Sequence, residues 1–184
     1  MKFFIAALTV LSGCYTTTSI EGMTVLPVEV ARAAAATTPT RHAVEVGEVT
    51  GGLPQELLSP TVEVENEALH RALSDSLQEA GLLAPQGELA RYRLDVTLVS
   101  LRQPTLGFDM TVAAAVWCKL VDVPSGQVVW QDTIAQSYKA HFLDHLIGTE
   151  RLRLASEGAM RKTIAEIINR VTTVKPDGLL NVSS

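Results

Sequence analysis

Three consecutive stretches of alternating apolar and polar residues, joined by short turns, constrain the fold of this chain more than any other feature. They cover residues 91–101, 108–121 and 127–138. Such alternation predicts strands that are buried on one face and wet on the other. The connections carry Pro and Gly and are too short for the crossover that parallel neighbours need. We therefore predict an antiparallel meander of three strands.

Two amphipathic helices and a weaker strand complete the predicted domain. Apolar residues recur at three- and four-residue steps over residues 64–80 and 149–172, and Gly81 stands where a left-handed C-terminal cap is expected. Residues 42–49 alternate less clearly and predict a first strand, which can lie parallel to its neighbour because a helix follows it. The order β-α-β-β-β-α predicts an α+β two-layer sandwich, with about four mainly antiparallel strands and both helices on one face.

The last predicted helix carries charged pairs one turn apart. Glu157 precedes Arg161, and Glu166 precedes Arg170. The Glu-first order at this spacing stabilises a helix surface. We expect both pairs on the outer face of the helix.

One face of the strand 108–121 predicts a docking surface. Ala113, Ala115 and Trp117 lie on the side opposite to Phe108 and Met110. If the helices cover one face only, this strip is exposed, and an exposed aromatic residue among small residues is typical of a protein-binding surface. The alternatives are that the N-terminal segment folds over the strip, or that Trp117 packs against its own hairpin. Whether Trp130 shares the face of Trp117 depends on the hairpin register.

The N-terminus has the pattern of an export signal. Lys2 is followed by an apolar run over residues 3–11, which is too short to span a membrane, and then by Ser12-Gly13-Cys14. Leu11-Ser12-Gly13-Cys14 resembles a bacterial lipobox, in which the cysteine is acylated and becomes the first residue of the mature protein.

The predicted organisation has four parts. Residues 1–13 are a lipoprotein signal peptide, 14–41 the lipidated Cys14 and a flexible tether, 42–174 a single α+β domain, and 175–184 a disordered tail. The tether is small, polar and Pro-bounded in most of its length. Within it, residues 23–30 either form a short strand, confined to a sheet edge by Pro27, or belong to the linker.

Composition excludes some classes of partner. The chain has 184 residues, 47% of them hydrophobic and 19% charged, with a formal charge of −5. It is long enough for one domain with its own core. An acidic chain without a cluster of Lys and Arg binds nucleic acid poorly, so we expect no nucleic-acid partner.

Candidate catalytic and metal-binding residues are few. On a helix, His141 and His145 would share a face with one turn between them, and Asp144 lies beside them. Two histidines and one carboxylate underfill a tetrahedral zinc site, so these are weak metal candidates, and we expect no metal or cofactor.

Cys118 stands at an inward position of a strand, where a thiol behaves as a small apolar side chain. Nucleophile and phosphate-loop motifs are absent from the sequence, and we expect a protein that is not an enzyme.

Several motifs resemble those of a poorly characterised family of bacterial outer-membrane lipoproteins. They are the lipobox, residues 46–52, residues 67–82, residues 103–112 and residues 150–159. The resemblance implies a compact α+β envelope domain and brings no catalytic residues. Some similar sequences bear the name of a sugar acyltransferase, but those enzymes are left-handed β-helices built on hexapeptide repeats, which this sequence lacks.

These patterns together predict a lipoprotein of the bacterial outer membrane, anchored on the periplasmic side through Cys14. The absence of Asp after Cys14 resembles the outer-membrane sorting pattern. The preferred hypothesis is a non-enzymatic accessory or docking module for an envelope protein partner. The alternative is an auxiliary lipoprotein of an envelope transport system that binds lipid or another apolar ligand between sheet and helices.

Overall fold

The computed structural model describes residues 16–35, 37–52 and 62–174. The signal segment, Cys14 and the tail 175–184 lie outside the described residues. In chain order the elements are β1 (Thr16–Thr17), α1 (Ile20–Met23), α2 (Pro27–Ala35), β2 (Val44–Thr50), β3 (Val62–Glu63), α3 (Asn66–Glu79), β4 (Tyr92–Arg102), β5 (Met110–Asp122), β6 (Gln127–Ala140) and α4 (Gly148–Thr173).

A four-stranded sheet in the order β2-β4-β5-β6 forms one layer of the domain. β4, β5 and β6 are antiparallel neighbours, which confirms the predicted meander. β2 runs parallel to β4 at one edge, and α3 makes the connection between them. The predicted α+β class and the predicted order of the main elements are therefore confirmed.

α3 and α4 form the second layer and cover one face of the sheet. Their buried side chains follow the predicted stripes, with Leu69, Leu73 and Leu77 on α3 and Ile164 and Ile168 on α4. Gly81 has φ +66°, so it takes the left-handed conformation that ends α3. None of the helices in the described part of the chain combines the length and hydropathy needed to cross a bilayer.

The N-terminal segment differs from the predicted tether. Residues 20–23 and 27–35 are helical, and both helices pack on α3 and α4. Met23, Val25 and Val30 are at most 2% exposed, so this segment adds side chains to the core. Pro27 is the first residue of α2, a position where its fixed φ suits a helix, and residues 23–30 form no strand. We call residues 16–35 the N-terminal arm.

Glu157 holds this arm to α4. It is 3% exposed, and its Oε1 accepts hydrogen bonds from the Ser19 amide at 2.8 Å, the Ser19 hydroxyl at 2.9 Å and Arg153 Nη1 at 2.7 Å. The predicted outer pair of Glu157 with Arg161 is therefore wrong. Arg161 instead donates to the carbonyl of Gly22 in the arm, at 3.2 Å. Arg170 and Glu166 do form the expected surface pair, at 2.8 Å.

Two local irregularities shift the predicted strand faces. The pairing of β2 with β4 skips between Val46 and Val49, so that Val49 packs on the core side with Val46. This bulge differs from the regular alternation expected over residues 42–49. At the start of β5, Phe108 precedes the strand and is 80% exposed, whereas it was expected on the inner face.

Candidate docking face of the sheet

The described helices leave one face of the sheet uncovered. We call this the open face; its side chains alternate with those that point to the helices. The N-terminal arm packs on the helices, so in the described part of the chain it does not cover this face. The central residues of the open face are Thr97, Ser100 and Arg102 on β4, Ala113, Ala115 and Trp117 on β5, and Thr133, Ala135 and Ser137 on β6.

Ala113 and Ala115 form the floor of a shallow depression in the open face. Ala115 lies opposite Ala135 and Ser100, while Ala113 lies opposite Ser137 and Arg102. The short side chains of these alanines and of Ala135 and Ser100 beside them leave a concavity of about 450 Å³. The predicted strip is therefore brought together on one uncovered face, next to residues from both neighbouring strands.

Trp117 stands between this depression and a charged region. It pairs with Thr97 on β4 and Thr133 on β6, so two small polar neighbours leave its ring half-buried. Lys119 Nζ lies 5.8 Å from the ring centroid, within the range of a cation–π contact. Lys119 also pairs with Asp95 at 3.2 Å, and Arg93 reaches the same carboxylate at 3.2 Å. The open face thus has an apolar half and an ion-paired half, with Trp117 at the boundary.

Trp130 lies on the opposite face from Trp117. It pairs with Leu120, whose side chain is fully buried, and it packs against the core. The pairing shifts between Leu120 and Val121, because Val121 pairs with Val128 and leaves Val129 as an extra residue. A one-residue bulge inverts the faces of the residues that follow it. The open face therefore carries one tryptophan.

The weak metal candidates lie in a loop between β6 and α4. Asp144 Oδ2 accepts the His141 amide at 2.7 Å, and His145 Nδ1 accepts the Ile147 amide at 3.2 Å. His141 Nδ1 lies 3.5 Å from Asp109 Oδ2. Within the described ranges, no group of three His, Cys, Asp or Glu side chains is arranged to hold a metal ion. These polar groups are used to shape the loop.

Cys118 is fully buried on the helix-covered face of β5. Burial raises the pKa of its thiol to about 12, with a smaller contribution from the charge of Asp132. At neutral pH the side chain is a protonated thiol, so it contributes packing and no nucleophile.

Sequence reasoning did not identify the residues from β4 and β6 that border the depression. The period-2 pattern of β6 places Thr133, Ala135 and Ser137 on one face, but only the register brings that face beside Ala113 and Ala115. It also missed the buried role of Glu157. The signal was an apolar segment within the supposed tether, which needed a surface to pack on.

No family model matches the sequence, and no curated protein matches it either. Solved structures do match in fold. A candidate lipoprotein from Caulobacter crescentus has a TM-score of 0.50 and 16% identity, over 73% of this chain and 90% of that one. A DUF330 protein from Xanthomonas campestris has a TM-score of 0.54 and 12% identity, over 71% of this chain and 83% of that one.

A hypothetical protein from Chlamydia trachomatis is similar to the same extent, with a TM-score of 0.51 and 12% identity, over 72% of this chain and 96% of that one. At identities this low the likeness concerns the fold. The chain thus shares the backbone arrangement of these three bacterial proteins.

Proposed function

We propose that this protein is a lipoprotein of the bacterial outer membrane, anchored on the periplasmic side through Cys14, and that it docks an envelope protein through its open face. Its role is that of a non-enzymatic accessory module. The observation that carries the proposal is the open face itself, where Ala113, Ala115 and Trp117 lie together with no described helix over them.

The sequence and the fold both support the lipid anchor. Leu11-Ser12-Gly13-Cys14 closes a short apolar segment that begins after Lys2. One of the proteins with a similar fold is a candidate lipoprotein. The N-terminal arm, as defined above, begins at Thr16, two residues after Cys14 in the sequence, and two residues span at most about 7 Å. An acylated Cys14 would therefore hold the folded domain against the membrane surface.

The composition of the open face supports a protein partner. Small side chains let another backbone approach the sheet, and an aromatic ring beside them offers a large contact area. Ser100, Arg102 and Ser137 provide hydrogen-bonding groups at the border of the depression. This combination of a small apolar centre and a polar rim is typical of protein interfaces.

The interior of the domain favours docking over the alternative of an apolar ligand held between sheet and helices. Leu94 and Val116 on the sheet, and Met160 and Ile164 on α4, are fully buried and belong to one continuous core. In the described residues, side chains occupy the place where such a ligand would lie.

Crosslinking in the native envelope tests this proposal. A photoreactive phenylalanine analogue at Trp117 is expected to capture one abundant envelope protein, identified by mass spectrometry. Ala115→Arg should abolish the crosslink, because the long cation fills the depression. Leu89→Arg is the matched control, since Leu89 is fully exposed and lies outside the open face. Circular dichroism checks that both variants fold.

Two results would count against the proposal. Crosslinks to lipid alone would replace docking with lipid binding at this face. Capture of the same protein in the Ala115→Arg variant would show that the depression is not where the partner binds.

A further inference from the structure

Two loops at one end of the sheet expose a group of large apolar side chains. Residues 103–109 connect β4 to β5, and residues 141–147 connect β6 to α4. We call the exposed group the apolar end patch; its members and their exposures are Leu106 89%, Phe108 80%, Phe142 39%, Leu143 88%, Leu146 76% and Ile147 59%. Single exposed apolar residues are common on protein surfaces, but six of them on two adjoining loops are typical of an interaction site.

Specific contacts join the two loops into one surface. The rings of Phe108 and Phe142 meet edge to face, with their centroids 5.8 Å apart. Asp109 Oδ1 accepts the amide of Phe142 at 3.1 Å, which ties the first loop to the second. Arg151 lies under the second loop: its Cζ is 5.0 Å from the Phe142 ring, and its Nη1 donates to the Leu146 carbonyl at 2.9 Å. The patch is therefore held in place by side-chain and backbone contacts.

The N-terminal arm starts at this same end of the domain. Thr16 pairs with Val62, and Gln103 binds both backbone groups of Val62, accepting its amide at 3.0 Å and donating to its carbonyl at 2.7 Å. Gln103 opens the loop that carries Leu106. Cys14 is two residues before Thr16 in the sequence, and two residues span at most about 7 Å, so a lipid on Cys14 would hold this end of the domain near the membrane.

We infer that the apolar end patch inserts into the interfacial layer of the lipid bilayer in which Cys14 is anchored. This inference rests on the proposed anchor and not on the proposed docking partner. The occupant is a lipid surface because the anchor brings this end of the domain, and no other, to the membrane. Exposed Phe, Leu and Ile side chains on loops are suited to the boundary between headgroups and acyl chains.

The charges near the patch are compatible with insertion. Lys139 Nζ pairs with Asp109 Oδ2 at 2.8 Å, at the base of both loops. Asp144, the one carboxylate in the second loop, accepts the His141 amide at 2.7 Å. These groups border the patch, while its most exposed members are apolar. Shallow insertion leaves the paired charges at the level of the headgroups.

Insertion would orient the whole domain. The strands would run away from the bilayer, and the turn at residues 123–126 would lie roughly 40 Å from it, from the length of β5. The apolar half of the open face, which contains Ala113 and Ala115, lies toward the patch. The ion-paired half lies toward the distant turn. A docked partner would then sit beside the membrane.

Quenching of a fluorescent label by lipid tests the inference. The full-length acylated protein carrying Leu143→Cys is labelled with an environment-sensitive dye and reconstituted in vesicles of phosphatidylethanolamine and phosphatidylglycerol. Doxyl-labelled phospholipid is expected to reduce the emission at least about twofold, because the label lies at the depth of interfacial side chains. Leu89→Cys is the matched control, fully exposed near the opposite end of the sheet, and its label should not be quenched. Cys118 is buried and does not compete for the dye.

The outcomes separate this inference from the anchor on which it rests. An unsubstituted protein that takes up the dye at Cys14 has no acyl chain there, which overturns the anchor. An anchored protein with an unquenched label at position 143 overturns the insertion. In a Cys14→Ser variant kept free of detergent and vesicles, a label at position 143 that is shielded from water overturns it too, because the protein then covers its own patch.

Discussion

Glu157 is a buried carboxylate that receives three hydrogen bonds, two from the distant N-terminal arm and one from its own helix. Ser19 supplies two of them from the N-terminal arm, and Arg153 supplies the third from the preceding turn of α4. A buried carboxylate is tolerated when its oxygens are bonded in this way, and the bonds are stronger because the acceptor is charged. The same side chain therefore stabilises the start of α1 and joins it to the helix layer.

Glu157→Ala should lower the free energy of unfolding by roughly 2–4 kcal/mol, because both Ser19 donors and Arg153 Nη1 lose their acceptor, while Arg153 keeps its contact with Glu150. Urea denaturation followed by circular dichroism measures the change. Glu166→Ala is the control on the same helix: its pair with Arg170 is exposed, so about 0.5 kcal/mol or less is expected. Equal losses for the two variants would mean that the Glu157 contacts do not stabilise the arm.

At the scale of the element, α4 crosses β6 at a glycine. A Cβ on Gly158 would overlap the ring of Tyr138, so the absence of a side chain permits the close approach of helix and strand. Lys162, one turn later, lies over the same ring at 5.5 Å from its centroid and donates to the Ser137 carbonyl at 3.2 Å. Ser137 lies on the open face and lines the depression, so this crossing helps to position the strand that carries one side of the depression.

Gly158→Ala should destabilise the protein by about 1–3 kcal/mol through overpacking, although Ala favours a helix by about 1 kcal/mol over Gly. Thermal unfolding is the measurement. Gly148→Ala is the matched substitution at the start of α4, where the added Cβ would meet its nearest atoms at 3.7 and 3.8 Å, an ordinary contact. It should change stability little. A Gly158→Ala protein as stable as the wild type would contradict the close crossing.

At the scale of the whole molecule, the helix side of the sheet is two layers deep, and the described residues leave the other side open. α3 and α4 cover the sheet, and the N-terminal arm packs on α3 and α4. Met23 is fully buried in this second contact, in the same core as residues of the sheet. The arm is thus part of the folded domain, and a membrane anchor at Cys14 would act on the domain without a long linker.

Met23→Ala should lower the free energy of unfolding by about 2–5 kcal/mol, because it leaves a cavity between the arm and the helices. Val28→Ala, in the same arm but 80% exposed, should change it by no more than about 0.5 kcal/mol. Chemical denaturation of both variants provides the comparison. If the arm were a flexible tether, neither substitution would alter the stability.

The elements of the domain were predictable from local patterns. Period-2 alternation predicts the strands, and the three- to four-residue spacing of apolar residues predicts the two main helices. Short turns restrict three of the strands to a meander. The strip of Ala113, Ala115 and Trp117 follows from the same alternation, because neighbours two apart share a face. The export segment and Cys14 are also read directly from residue order, and that prediction concerns residues outside the described ranges.

Tertiary structure alone decided how these elements meet. The bulge at Val129 sets Trp130 on the core side, since pairing across a hairpin depends on both strands and the turn together. The arm is helical because α3 and α4 offer Met23 and Val30 an apolar surface. That surface is formed by residues far away in the sequence, so the local pattern does not reveal it. The apolar end patch likewise exists because two loops about 35 residues apart lie at the same end of one sheet. Local sequence determined the main strands, α3 and α4, while long-range contacts determined the helical arm, the bulges, and which surfaces are buried and which are free to bind.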